Sequence, residues 1–392
     1  MNELPLLRFI PFRRSDLVKM CLERGKLEPS TQQAFQNACS EIEQYFQKDF
    51  IQMRQGLKQA YAPLDPDADT RVVEQFRNAS DSEGLAQMLG QTLDRANYEK
   101  ITREYLDQAF RSASLFKVRL HVDLNDFDEV LLYARGARRK VEMVPRLMGF
   151  FPKEVTFTNF DRVVLYIRFK EDADTQGTLG GCQPGSTMLK LFQNVPAADM
   201  EMLFPNTRVG MRWIDKLLIG VPAVVSGGVV MTTKLGATMV LLGSLMGFWF
   251  GLSREPVTLD KSSVIVLAAG IGALIGYLLK QISSFRNRKL KFTQALTESL
   301  YFKLLDNNAG VLYRVLDEAE ESECKESLLA YYFLLENGKP MTSAELDAAI
   351  EEWFAQSWSC KLDFEIDDAL AKLADLGLAR SVEQHWQVIA QG

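Results

Sequence analysis

Apolar positions along this chain follow three rhythms, and each predicts a different kind of element. Over the first 110 residues or so the rhythm is helical. Pro29-Ser30 supplies a start signal, after which Phe35, Ala38, Ile42, Phe46, Phe50, Met53 and Leu57 recur at steps of three and four. That spacing predicts one long amphipathic helix, closed by the turn residues of APLDPDAD. Leu85, Leu89, Leu93, Ile101 and Tyr105 continue the helical step. Such stripes are the core face of packed helices rather than a cofactor box.

From Phe116 the period falls towards two. FKVRLHVDL, EVLLYARG, RKVEMVP, EVTFTNF and RVVLYIRFK are rich in strand formers and predict β-strands, with GARR as a hairpin between two of them. TQGTLGGCQPGS reads as a flexible loop and MLKLFQNV as another strand, so an antiparallel α+β domain is expected to end near Phe204-Pro205.

The third stretch has no polar face at all. Leu217 to Leu252 is 36 residues with the single charge Lys234, and Ser262 to Leu279 is 18 residues with none. Runs of that length predict membrane spans. The expected arrangement is a two-span hairpin, 235–252 and 262–279, with 217–233 re-entrant or a third span because Pro222 and Gly227-Gly228 weaken a straight helix there. Basic residues at both ends favour an even number of crossings, and Lys216, Lys234, Lys280, Arg286 and Arg288 are expected at the membrane interface. Gly243, Gly247 and Gly251 form one row of small residues, and Ala268, Gly272 and Gly276 form another. Such rows predict close helix packing, within the hairpin or between copies of the chain.

Beyond the apolar block, RNRKLKFTQALTESLYFKLLDNNAGVLYRVLDEAEESECKESLLAYYFLLE reads as helix broken by DNNAG. Asp306, Asn307 and Asn308 are turn formers, with a polar site as the alternative. The acidic run Asp317, Glu318, Glu320, Glu321, Glu323 covers most sides of its helix and is expected to be solvated or to meet a partner. Asp317, Glu321 and Lys325 join Asp306, Asn307 and Asn308 as a motif of unassigned role. Glu326–Glu336, Thr342–Ser357 and Asp363–Leu376 are then expected as three helices, and LARSVEQHWQVIA as a two-stranded wing. Together these give a winged-helix-like domain. The domains so expected are 1–110 helical, 111–210 antiparallel α+β, 211–282 membrane block, 283–325 helical connector and 326–392 winged-helix-like, making an α+β membrane protein.

Composition changes this picture mainly through charge. The chain of 392 residues has a net charge of −6 at pH 7. From Asp317 onward the net is −12, which leaves the preceding part at +6. An acidic third helix would repel DNA, so the C-terminal end is expected to bind protein partners and not nucleic acid. The 5 cysteines are scattered without a C-x-x-C pair, and the 2 histidines, His121 and His385, stand far apart. No metal, cofactor or catalytic residue is therefore expected, and His121 reads as structural.

MLKLFQNVPAADMEMLFPNTRVGMRWIDKLLIGVPAV, the glycine-rich block and LYFKLLDNNAGVLYRVLDEAEESECKESLLAYYFLL resemble the family of domain of unknown function 3754. The resemblance implies an integral membrane protein of a family with bacterial and organellar members, an animal transmembrane protein among them. It implies no reaction and transfers no catalytic residue. Without an Arg-rich presequence, a bacterial inner membrane is the expected location, the N- and C-terminal domains lying in the cytoplasm. The function expected is a non-enzymatic, membrane-anchored scaffold, in contact with lipid and homo-oligomeric. A channel or transport component built on the glycine-rich helices is the alternative. An enzyme using Asp306, Asn307 and Asn308 is the weakest.

Overall fold

The computed structural model describes residues 6–69, 84–106, 119–146, 151–170, 185–210 and 261–389, together with residues 243, 244, 246 and 249. The chain divides into two compact units, one of residues 1–115, 122–207 and 302–392, the other of 116–121 and 208–301. The first unit is α+β. Its N-terminal part carries β1 (Leu6–Leu7), α1 (Arg14–Glu23), α2 (Pro29–Tyr61), α3 (Leu85–Arg95) and β2 (Glu99–Lys100). Pro29 stands at the start of α2, where its fixed φ suits a helix and its missing N–H costs nothing. The α2 stripe is buried as its spacing predicts, with Phe35, Ala38, Ile42, Phe46, Phe50 and Leu57 all in the core.

The sheet is antiparallel, in the order β2-β4-β5-β6-β8, where β4 is Phe127–Arg146, β5 Phe151–Phe169, β6 Thr187–Pro196 and β8 Leu304–Asn307. The expected hairpin at GARR is corrected by this sheet. Strand β4 runs straight through Gly136-Ala137-Arg138-Arg139, and β4 and β5 stay in register from Glu129 opposite Arg168 to Arg146 opposite Phe151. Gly136 serves close approach rather than a turn. It has φ +74°, and a Cβ there would lie 2.5 Å from the Asp161 carboxylate, which pairs with Arg138 at 2.7 Å.

The C-terminal part is built on α5 (Ala309–Asn337), a 29-residue helix that ends at Gly338 with φ +62°. The segment Glu326–Glu336 is the second half of α5, not a helix of its own. DNNAG likewise does not join two helices. Asp306-Asn307 end the edge strand β8, and Asn308 is the cap from which α5 starts. Helix α6 (Ser343–Trp358) opens with a reciprocal box between Thr342 and Glu345. Next come β9 (Lys361–Leu362), α7 (Ile366–Asp375) and the hairpin β10 (Ala379–Val382) to β11 (His385–Val388), turned by Glu383 and Gln384, both at positive φ. Met341 bridges to Trp386 of the hairpin, and β1 pairs in parallel with β9.

In the second unit β3 (Arg119–His121) pairs antiparallel with β7 (Arg208–Gly210). Helix α4 (Lys261–Lys303) runs for 43 residues, its last two falling in the first unit. The expected span 262–279 is the opening part of α4, which continues without a break through Lys280, Arg286, Arg288, Lys289 and Lys291. Among the described residues no helix is long and apolar enough to cross a membrane. This corrects the expectation of a two-span membrane hairpin and of the bacterial inner-membrane location drawn from it. The stretch 217–233 and most of 235–252 lie outside the described residues.

Candidate functional site

Helix α5 passes through the middle of the first unit, and from Ser322 to Leu334 every side chain on it is buried. A helix carrying charge on such a path must meet a partner on each side, since a buried charge is tolerated only when paired. The partners come from elements far away in the chain. Arg14 of α1 donates its backbone N–H to Glu321 Oε1 at 3.1 Å. Arg54 of α2 reaches Asp317 at 3.1 Å. Arg95, the last residue of α3, meets Glu323 at 2.6 Å and Asp49 at 2.8 Å, and Lys372 of α7 contacts the same Glu323. Arg135 of β4 meets Glu318 at 2.8 Å, and the Tyr98 hydroxyl donates to the same carboxylate at 2.7 Å. The expectation of a solvated acidic run is corrected here. Asp317 stays exposed, but the run grades from there into an internal seam at Glu323, and the basic surplus of the first part of the chain supplies counter-charges.

At the centre of the seam Asn97 Nδ2 donates to Glu326 Oε1 at 2.8 Å and to Ser322 Oγ at 2.9 Å. Burial drives the Glu326 carboxyl up to about 8, assisted by Glu365 and Asp368 and opposed by the hydrogen bonds from Asn97 and Ser322. Glu326 therefore carries a proton at neutrality. Burial also depresses the neighbouring Lys325 ammonium, against the pull of Glu321, which it pairs with at 3.2 Å. A cleft of about 280 Å³ opens beside this seam, lined by Phe9, Phe12, Arg135, Glu321, Ser322 and Lys325. The described cysteines Cys21, Cys39, Cys324 and Cys360 are buried, and burial pushes the Cys324 thiol up to about 12, so it stays protonated beside Arg14.

The LDNNAG motif forms a second polar feature at the head of α5. Asn308 sits at φ +48°, held by its N–H to the Leu189 carbonyl at 2.7 Å and by its side chain on Asp67. Asp306 pairs with Arg314 at 3.5 Å and lies over Gly310, where a Cβ would collide with its carboxylate. Asp306, Asn307 and Asn308 thus tie the sheet edge to the helix, and nothing in their geometry forms a nucleophile–base pair. A cavity of about 240 Å³ adjoins this junction, between α2 and α5.

The structure thus divides the six motif residues. Glu321 and Lys325 meet at the cleft, Asp317 faces α2, and Asp306, Asn307 and Asn308 form the junction. Ala268, Gly272 and Gly276 are exposed on α4, as are Lys280 and Arg286, while Gly243 is exposed outside any named element. Gly247, Gly251, Lys216 and Lys234 lie outside the described residues, and of the Arg288 side chain nothing is described. Arg54, Tyr61, Arg95 and Glu326 carry no signal of their own in the sequence. Their one trace is that α2 and α3 place basic residues beside an apolar stripe. Among the described residues no group of three His, Cys, Asp or Glu could hold a metal ion.

No solved structure matches the chain significantly. Residues 160–310, from within β5 through β6 to the Gly310 contact just described, match the family described as Protein of unknown function (DUF3754).

Proposed function

We propose that this protein is a non-enzymatic scaffold that binds a basic protein partner through its acidic C-terminal end. One observation carries the reading. Helices α6 and α7, with Glu365 at the cap of α7, present Glu345, Glu352, Glu365, Asp367 and Asp375 to solvent, and their one lysine, Lys372, is already committed to Glu323 and Asp368. The same end holds carboxylates against one another: burial, then Glu351, Asp363 and Asp367, raise Asp347 to about 6. A cationic partner surface relieves that repulsion, and complementary charge gives both speed and selectivity of docking.

The test is photo-crosslinking in the source cell, with the crosslinker at Ala371 on the exposed side of α7. The full chain is compared with its Glu352→Lys, Asp367→Lys, Asp375→Lys variant. Loss of the crosslinked partners at unchanged melting temperature is expected. An unchanged partner set in the variant overturns the proposal.

A further inference from the structure

The cavity between α2 and α5 has features of a binding site that partner docking does not use. Its volume is about 240 Å³, and Leu57, Leu312 and Leu316 give it an apolar wall. On α2, Arg54 and Lys58 line it one helical turn apart, and Tyr61 follows within a further turn, so the three share one face of the helix.

Two of these residues hold unmade hydrogen bonds. Tyr61 is 2% exposed and its hydroxyl has no partner. Thr187 stands beside the phenol as a side-chain neighbour and gives its own proton to the Leu64 carbonyl at 2.8 Å. The buried Nε of Arg54 is likewise unpartnered, while the far end of its guanidinium is fixed on Asp317 at 3.1 Å. Buried polar groups are normally satisfied, so two orphans on residues lining one cavity need an explanation.

Arg54 Nε can only donate, as can the Lys58 ammonium on the same face, and the Tyr61 hydroxyl has a proton to give. What such a set lacks is an acceptor, preferably an anionic one. An amine ligand could meet Asp65 and Asp69, which also line the cavity, but would leave the Arg54 Nε without an acceptor. We propose that this cavity binds a small carboxylate with a compact apolar body, the carboxylate turned to Arg54 and Lys58 and the body against the leucine wall. Tyr61 supplies a further donor to the bound molecule. Asn308, hydrogen-bonded to Asp67 and followed by Ala309 in the cavity lining, places the head of α5 next to this ligand.

The experiment is calorimetric titration and thermal unfolding of the full chain with hexanoate and phenylacetate. Hexylamine, hexanol and inorganic phosphate serve as controls. At least one carboxylate is expected to bind with a Kd at or below ~1 mM and to raise the melting temperature, while the controls do not. Arg54→Gln is expected to weaken binding ~10-fold or more, which is the weight of a lost charged hydrogen bond. That variant also loses the Asp317 pair, so Tyr61→Phe, which keeps the ring and removes only the orphaned hydroxyl, is the second variant, with a several-fold loss expected. The proposal is overturned if no carboxylate binds at ~10 mM, if hexanol or hexylamine binds as tightly, or if both variants bind as the wild type does.

Discussion

Helices α4 and α5 follow one another in the chain, with only the strand β8 and the cap Asn308 between them, and they dispose their side chains in opposite ways. Along α5, Glu323 and Glu326 are 1% and 5% exposed. Along α4, Val264, Ile265, Ile275 and Leu279 are 48–68% exposed. Polarity alone would have placed these two groups the other way round. What separates them is company. Helix α5 has α1, α2, α3, α7 and the sheet around it, each bringing a cation or a hydroxyl to a particular carboxylate. The described apolar residues of α4 have no such wall, and open space surrounds Gly272 and Gly276.

The contrast can be broken most severely at Arg95. Arg95→Ala leaves Glu323 buried with only Lys372 and removes the stacking of Arg95 over Phe50 at 4.3 Å. A loss of roughly 3 kcal/mol in denaturant unfolding is expected, because removal of one partner strands a buried charge. Adding Glu323→Gln in the same chain should restore part of that loss, and the double-mutant cycle isolates the pair.

Next in size is a pH effect. The folded chain holds a proton on Glu326 up to about 8, whereas the unfolded chain releases it in the ordinary carboxylate range. Its contribution to stability is therefore intact in acid and is lost as pH climbs through about 8. Glu326→Gln, a permanently neutral isostere, should flatten the fall in unfolding free energy between pH 5 and 8 by roughly 3 kcal/mol. An unaltered slope would show that another group sets it.

Gly310→Ala tests where the two helices are joined. The added methyl forces the Asp306 carboxylate aside and breaks its pair with Arg314, for an expected loss of about 1 kcal/mol after the gain in helix propensity is set against the clash. Combining it with Asp306→Ala should recover most of the loss. The smallest effect belongs to α4. Ile265→Ser, at a residue 68% exposed, should leave unfolding of the first unit within about 0.5 kcal/mol of wild type.

How much of this was legible in the sequence depended on the range of the interaction involved. Helices α2 and α3 were legible because their periodicity is local: Phe35 to Leu57 and Leu85 to Leu93 fall on the buried face as spaced. The helix starting at Thr342 was legible for the same reason. The GARR turn was misread because Gly136 answers Asp161, a residue on the neighbouring strand that local composition does not reveal. The apolar run 262–279 was read as an element bounded by its own ends, whereas backbone hydrogen bonding carries α4 on through the charges that follow. The acidic run failed most instructively. Its sequence shows five like charges on one helix, and only the fold shows that Arg14, Arg54, Arg95 and Arg135 converge on them. The cavity was illegible altogether, since its walls come from residues some 250 positions apart.

That same separation has a consequence in time. The first unit is interrupted by the second, and its core closes only when late segments return to early ones: Phe35 packs against Tyr331 and Tyr332, and Leu6–Leu7 pair with Lys361–Leu362. On the ribosome α2 emerges with its apolar stripe and no α5 to cover it. At ~5–20 residues per second the wait lasts on the order of 15–60 s. For that interval the apolar stripe of α2 is an adhesive surface, and whatever shields it during synthesis must let go once Tyr331 arrives.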